Sequence, residues 1–268
     1  MLALKLGLVP AFLAALTIAG RLWGPSVAGW LAGLPVVAGP IVLLLALERG
    51  PSFAAQASVA SIAAIAASEA FNFTYAWSCR RWPWPLALAA GMSGWLTAAV
   101  LLVHLRHSLV WAVGAACVAV AVSQSALPRV SAHVPAGRLG AADLAVRMLA
   151  GALLTLAVTS LSASMGATWS GLLSVFPLLG IVLAVSAQRE HGPGFVALLM
   201  RGMVIGRGSF AAFFAVTAAM LPRYGVWLSF ACASAISVAV QGATRRMLDS
   251  RRPLQAVSRE TSLQQTVD

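Results

Sequence analysis

At 268 residues, with 60% apolar residues, 18 Lys and Arg against 7 Asp and Glu, and a mean hydropathy of +0.88, the chain has too few charges for a hydrated globular surface, where about a quarter of residues are charged. That composition excludes a soluble domain. The net charge of +11 does not mark a nucleic-acid surface either, because the Arg residues stand singly between apolar runs and in the tail, as topology signals of a membrane protein do. The expected class is an all-α, polytopic integral membrane protein.

In chain order, the first apolar run, residues 6–18, follows Lys5 and has the length of a signal-peptide core. A matching run at 144–161 lies mid-chain, so both are expected to be the first span of a repeated unit. Further spans are expected at about 28–47, 53–76, 86–105, 109–127, 169–187, 195–219 and 226–243, each near the ~20 residues needed to cross the hydrocarbon core. The total is about nine. Cys79, Cys117 and Cys232 fall in separate segments without metal-ligand or CxxC spacing and read as buried small apolar residues.

The stretch Leu47, Glu48, Arg49, Gly50, Pro51, Ser52, Phe53 returns 142 residues later as Arg189, Glu190, His191, Gly192, Pro193, Gly194, Phe195. The same shift pairs Lys5 with Arg147, Thr17 with Thr159, Gly29 with Gly171, Pro35 with Pro177 and Phe71 with Phe213. The chain therefore reads as a diverged tandem duplication: a first membrane repeat at 1–107, a linking helix and loop at 108–142, a second repeat at 143–247 and a polar, unstructured tail at 248–268. Five crossings separate equivalent points, an odd number, so the two four-helix repeats are expected to be inverted with respect to each other. Alternate loops and the tail hold 12 of the 18 Lys and Arg, which places the C-terminus in the cytoplasm and the N-terminus outside. Arg129 and Arg138 in the linker are placed to meet anionic lipid headgroups.

Pro35 and Pro177 occupy the same place in the second span of each repeat, among Gly33, Gly39 and Pro40 in one and Gly171 and Gly180 in the other. Proline removes a backbone donor and collides with the preceding turn, so both spans are expected to kink or break there. Paired breaks at corresponding positions of inverted halves point to a midplane transport site; a packing kink is the alternative. Glu48 and Glu190 end those spans. Gly50 and Gly192 suit a left-handed helix cap and Pro51 and Pro193 a restart, while the carboxylates either cap the next helix or bind a cation or proton. Deeper in the membrane lie Glu69, between Ser68 and Asn72, and Arg207. By the 142-residue register Arg207 matches Ile65, one turn from Glu69, so the two are expected to face each other near the bilayer centre, as a functional pair or as a structural salt bridge.

His104, His107, His133 and His191 are scattered and read as interfacial, and Trp77, Trp82 and Trp84 flank Arg80 and Arg81 as a headgroup belt. No phosphate-binding glycine loop, HExxH, GxSxG or paired acidic motif is present, so no cofactor or metal is expected, and an intramembrane enzyme acting on a lipid-linked substrate is the third and least supported reading. Ala28 and Gly29, Pro35, the triplet Glu48, Arg49 and Gly50, then Pro85, Leu86, Ala87, Leu88 and Trp95 resemble the spacing in GlpM, a family of small inner-membrane proteins about one repeat long. Ser170, Gly171, Phe176, Pro177, Glu190, His191 and Gly192 repeat it less completely, over about 143–245 against 1–105. The resemblance implies a bacterial inner-membrane setting linked to glycerol metabolism and alginate production. The expected function is transport of a small solute, ion or proton by alternating access, with membrane lipids as surroundings. A non-transporting accessory protein of an envelope polysaccharide or lipid pathway is the second reading.

Overall fold

The computed structural model describes residues 2–105, 108–130, 141–164 and 166–264, with the side chains of 2–8, 141–144, 154–155, 158–159, 162–164 and 247–264 outside the description. All regular structure among them is helical: α1 (Leu2–Trp23), α2 (Pro25–Ala32), α3 (Ala38–Arg49), α4 (Pro51–Ser78), α5 (Trp84–Val103), α6 (Leu109–Ala126), α7 (Ala141–Ser164), α8 (Ala167–Ser174), α9 (Leu178–His191), α10 (Pro193–Tyr224) and α11 (Val226–Gln264). The linker residues Arg138 and His133 lie outside the described set, as does the side chain of Lys5.

Polarity is arranged inside out. Trp227, Val110, Val238, Leu101 and Leu149 are exposed, whereas Ser58, Ser61, Ser68, Glu69, Asn72, Arg147 and Gln241 are buried. An aqueous protein shows the reverse, and an apolar exterior around a polar core is what a bilayer requires. Among the described residues, six helical segments are long and apolar enough to cross a membrane: α4, α5, α6, the α8 and α9 pair over Ala167–His191, α10, and Val226–Arg246 of α11. The chain is a multi-pass helical membrane protein.

Six replaces the expected nine. The second span of the first half is cut into pieces of 8 and 12 residues. At 1.5 Å per residue these reach only ~12 and ~18 Å, short of the ~30 Å core. Of α1 only the shorter apolar stretch Val9–Trp23 has described side chains, and several side chains of α7 lie outside the description. At the other end the expected unstructured tail is not seen; the backbone of α11 continues as helix to Gln264.

Packing repeats with the sequence register. As α1 packs on α2, α7 packs on α8; α3 on α4 is matched by α9 on α10, and α4 on α5 by α10 on α11. Across the halves α2 lies against α10 and α8 against α4, while α1 meets α7 and α4 meets α10. The unpaired α6 touches both α4 and α10. The equivalence reaches single atoms: a Cβ on Gly29 would lie 2.0 Å from the Leu199 carbonyl oxygen, and one on Gly171 would lie 2.2 Å from that of Ala57, both pairs being 142 apart. Backbones this close need glycine.

Each half also turns from its third to its fourth helix in the same way, through Gly50 (φ 92°, ψ 162°) and Gly192 (φ 80°, ψ −179°), each followed by proline at the first helical position. That combination is not the left-handed helical cap expected from the sequence; it lies in a region open essentially to glycine alone. Cys79 is buried just beyond α4, and burial pushes its thiol up to about 11, so it stays neutral. Cys117, by contrast, is exposed on α6 rather than packed.

Candidate functional site at two helix breaks

Both broken spans stop at register-equivalent residues. In the first half α2 ends at Ala32 and α3 resumes at Ala38, with Pro35 between; in the second, α8 ends at Ser174 and α9 resumes at Leu178, after Pro177. Proline cannot donate, so the helical ladder is replaced by tighter bonds, Leu34 N to Leu31 O (3.1 Å) and Phe176 N to Leu173 O (3.0 Å), and the carbonyls around each break need outside donors. Serines of the long helices provide them. Ser68 Oγ donates to Val175 O (2.9 Å) and Ser209 Oγ to Gly33 O (3.5 Å), while Ser61 Oγ donates to Gly171 O (3.1 Å). From α11, Gln241 Nε2 donates to Trp30 O (2.7 Å). Each break is thus held by hydroxyls from the opposite half.

The tightest of these crossings pairs Gly29 of α2 and Gly33 just after it with Gly202 and Gly206 of α10. A Cβ on Gly206 would sit 2.4 Å from Trp30 O, whereas one on Gly114 of α6 meets nothing within 4 Å. Gly206→Leu is therefore expected to lower stability by at least about 1–3 kcal/mol through overpacking. Gly114→Leu should leave the unfolding midpoint in detergent unchanged or slightly raised; equal behaviour of the two variants would contradict the close crossing.

Between the breaks, Glu69 of α4 and Arg207 of α10 meet: Arg207 Nε donates to Glu69 Oε1 at 2.8 Å, with the carboxylate side chain 2% exposed and the guanidinium side chain 11%. One turn along α4, Asn72 Nδ2 lies 3.3 Å from both carboxylate oxygens, and its Oδ1 is buried without a partner. Arg207 and Asn72 line a cavity of about 50 Å³ together with Leu34, Val37, Pro177 and Phe210 among others. It is large enough for a few waters or a small ion. Glu69 does not line it; the carboxylate sits behind the guanidinium.

The residues singled out in the sequence separate accordingly. Glu69, Asn72, Arg207 and Pro177 gather at the cavity. Pro35 instead borders a larger lateral groove of about 580 Å³ between α3, α10 and α11, and Leu34 is shared by groove and cavity. Glu48 is exposed in the last turn of α3. Glu190 caps no helix: Arg147 of α7 donates to its carboxylate and to Thr17 Oγ1 of α1 (3.4 Å), and neither α4 nor α10 has a side-chain cap. His191, expected at the interface, stacks on Phe195 with centroids 4.3 Å apart. Among the described residues no cluster of three or more His, Cys, Asp and Glu could hold a metal.

Sequence reasoning missed three features. The Arg147 to Glu190 pair was signalled by the register, which sets a basic residue (Lys5, Arg147) and an acidic one (Glu48, Glu190) at matching places. Gln241 and the serines of α4 gave no such signal, since a buried hydroxyl in a span is ordinary until its acceptor is known. The groove was signalled only by comparing halves: Trp95 matches Ser237. In the first half Trp95 packs edge-on against Phe176 (5.0 Å), whereas Ser237 leaves the equivalent space beside Leu34 open. Comparison of the chain with protein-family models, curated proteins and solved structures returns no match.

Proposed function

We propose that this chain is a transporter of the bacterial inner membrane that moves a small solute or ion by alternating access between two inverted halves, with the N-terminus outside and the C-terminus in the cytoplasm. The single observation that carries the proposal is the meeting of both helix breaks at one cavity lined by Arg207 and Asn72. Interrupted spans at corresponding positions of two halves, with freed backbone around a polar midplane site, are how secondary transporters bind cargo. The positive-inside distribution of Arg supports the orientation, and the GlpM-like motif spacing supports the inner-membrane setting. Leu34, shared by the cavity and the groove, is proposed as the thin wall on the groove side.

The test is solute uptake into proteoliposomes over polyols, organic acids and monovalent ions. Glu69→Gln and Arg207→Gln, which keep hydrogen-bonding capacity, should leave the protein monodisperse and lower uptake at least tenfold, about 1.4 kcal/mol or more in the rate-limiting barrier. Full uptake by both variants would discard the central site. Wild-type protein that moves none of the panel yet co-purifies with envelope-polysaccharide enzymes would favour the accessory reading instead.

A further inference from the structure

The cavity is lined by one charged side chain, and it is positive. Arg207 uses its Nε on Glu69, and its terminal nitrogens are left for the cavity that it lines. Leu178, Leu179 and Gly180, the first turn of the 14-residue α9, line the same space, as does Ala38 at the start of α3. First-turn amides have no acceptor within their own helix and carry the positive end of the helix dipole. Leu178 N already donates to Phe176 O (2.6 Å) and Gly39 N to Pro35 O (2.8 Å), so the guanidinium, the Leu179 and Gly180 turn of α9 and Ala38 of α3 border a partly enclosed space with the balancing carboxylate outside it.

One atom is out of place in that description: Asn72 Oδ1, in a residue 1% exposed, is an acceptor without a donor. A protonated Glu69 would supply the donor. We infer that the central site takes a small anion together with a proton, the proton binding Glu69 and the anion binding Arg207. This rests on the transport reading above and names its cargo.

The exchange balances in charge. With the cavity empty, carboxylate and guanidinium neutralise each other. When a proton adds to a Glu69 oxygen, the neutral acid donates its O–H to Asn72 Oδ1 after rotation of the Asn72 amide, and the attraction holding Arg207 is lost. An anion then accepts from the guanidinium and from the first turn of α9. The site is neutral in both states, which matters because an unbalanced buried charge costs several kcal/mol. An anion arriving alone would leave the carboxylate uncompensated. Around Glu69, the elements packed on α4 are α3, α5, α6, α8 and α10. Their charged groups are Glu48 and Arg49 in the exposed last turn of α3, and Arg201, Arg207 and Arg223 of α10. Arg201 donates to Leu127 O and Arg223 stands at the helix end, so Arg207 is the charged group that meets Glu69. The other titratable side chains are Tyr75 on α4, bonded to Gln188, Cys117, exposed on α6, and Tyr224, exposed at the end of α10.

Chloride and formate serve as probes, titrated by calorimetry against the full chain in detergent between about pH 5 and 8. One proton taken up per anion makes the wild-type dissociation constant fall up to about tenfold per pH unit of acidification wherever Glu69 is ionised. Glu69→Gln should bind at every pH with the affinity that the wild type reaches in acid, and Arg207→Gln should bind neither probe. The wild-type slope needs no variant, so it decides the matter even if Glu69→Gln fails to fold. A flat slope, or no binding of either probe, overturns the inference. If uptake of glycerol or sodium still depends on Arg207, the transport reading stands without it; if no solute is moved while binding is proton-linked, the transport reading falls and the coupled site remains.

Discussion

Arg207→Leu should destabilise the protein by about 3–5 kcal/mol, the usual result of stripping one partner from a buried ion pair. The loss should exceed that of Glu69→Leu, because the two charges are not equally placed. Glu69 is 2% exposed and away from the cavity, so without Arg207 its carboxylate keeps only the Asn72 amide. The guanidinium lines the cavity, where water can solvate it once Glu69 is gone. Removing both charges should return much of the loss, since a well-packed apolar pair often equals a buried ion pair in stability. Thermal unfolding in detergent of the two single variants and the double variant measures this directly. A double variant as unstable as the sum of the singles would mean that Glu69 and Arg207 are not coupled.

Trp95 carries the second large expectation. It is 4% exposed and fills, against Phe176, the space that its counterpart Ser237 leaves empty in the other half. Trp95→Ala should therefore cost about 3–5 kcal/mol, the range for removing a large buried aromatic side chain. Trp95→Phe should cost far less, because the indole Nε1 is buried without an acceptor and loses nothing on removal. Conversely, Ser237→Trp, which directs an indole from a 2%-exposed position toward the bordering groove, should cost less than Trp95→Ala, about 1–3 kcal/mol at most. Unfolding midpoints of the three variants test the asymmetry; strong destabilisation by Ser237→Trp would show that the groove is not available to a side chain.

These two sites also show how far the sequence could be read. The breaks near Pro35 and Pro177 and the meeting of Glu69 with Arg207 were accessible from it, because proline acts on its own helix and because a buried charge in a span demands a partner. The 142-residue register then named the facing turn. Glu48 and Glu190 were harder. Their glycine and proline neighbours act locally, but the partner of Glu190 is Arg147 on α7, and no local rule brings α7 to the end of α9.

The sequence by itself determined the helical membrane class, the 142-residue register and the positions of the helix breaks, all consequences of composition, periodicity and backbone chemistry. Only the tertiary structure decided that six segments among the described residues, rather than nine, have the length and hydropathy to cross, because break length sets whether two half-helices add up to one span. It alone placed the guanidinium of Arg207 in the cavity with Glu69 behind it, and it alone showed that Glu190 meets Arg147 while Glu48 stands exposed. Those outcomes depend on which helices touch across the two halves, which is settled by close glycine crossings and by long-range bonds to freed carbonyls.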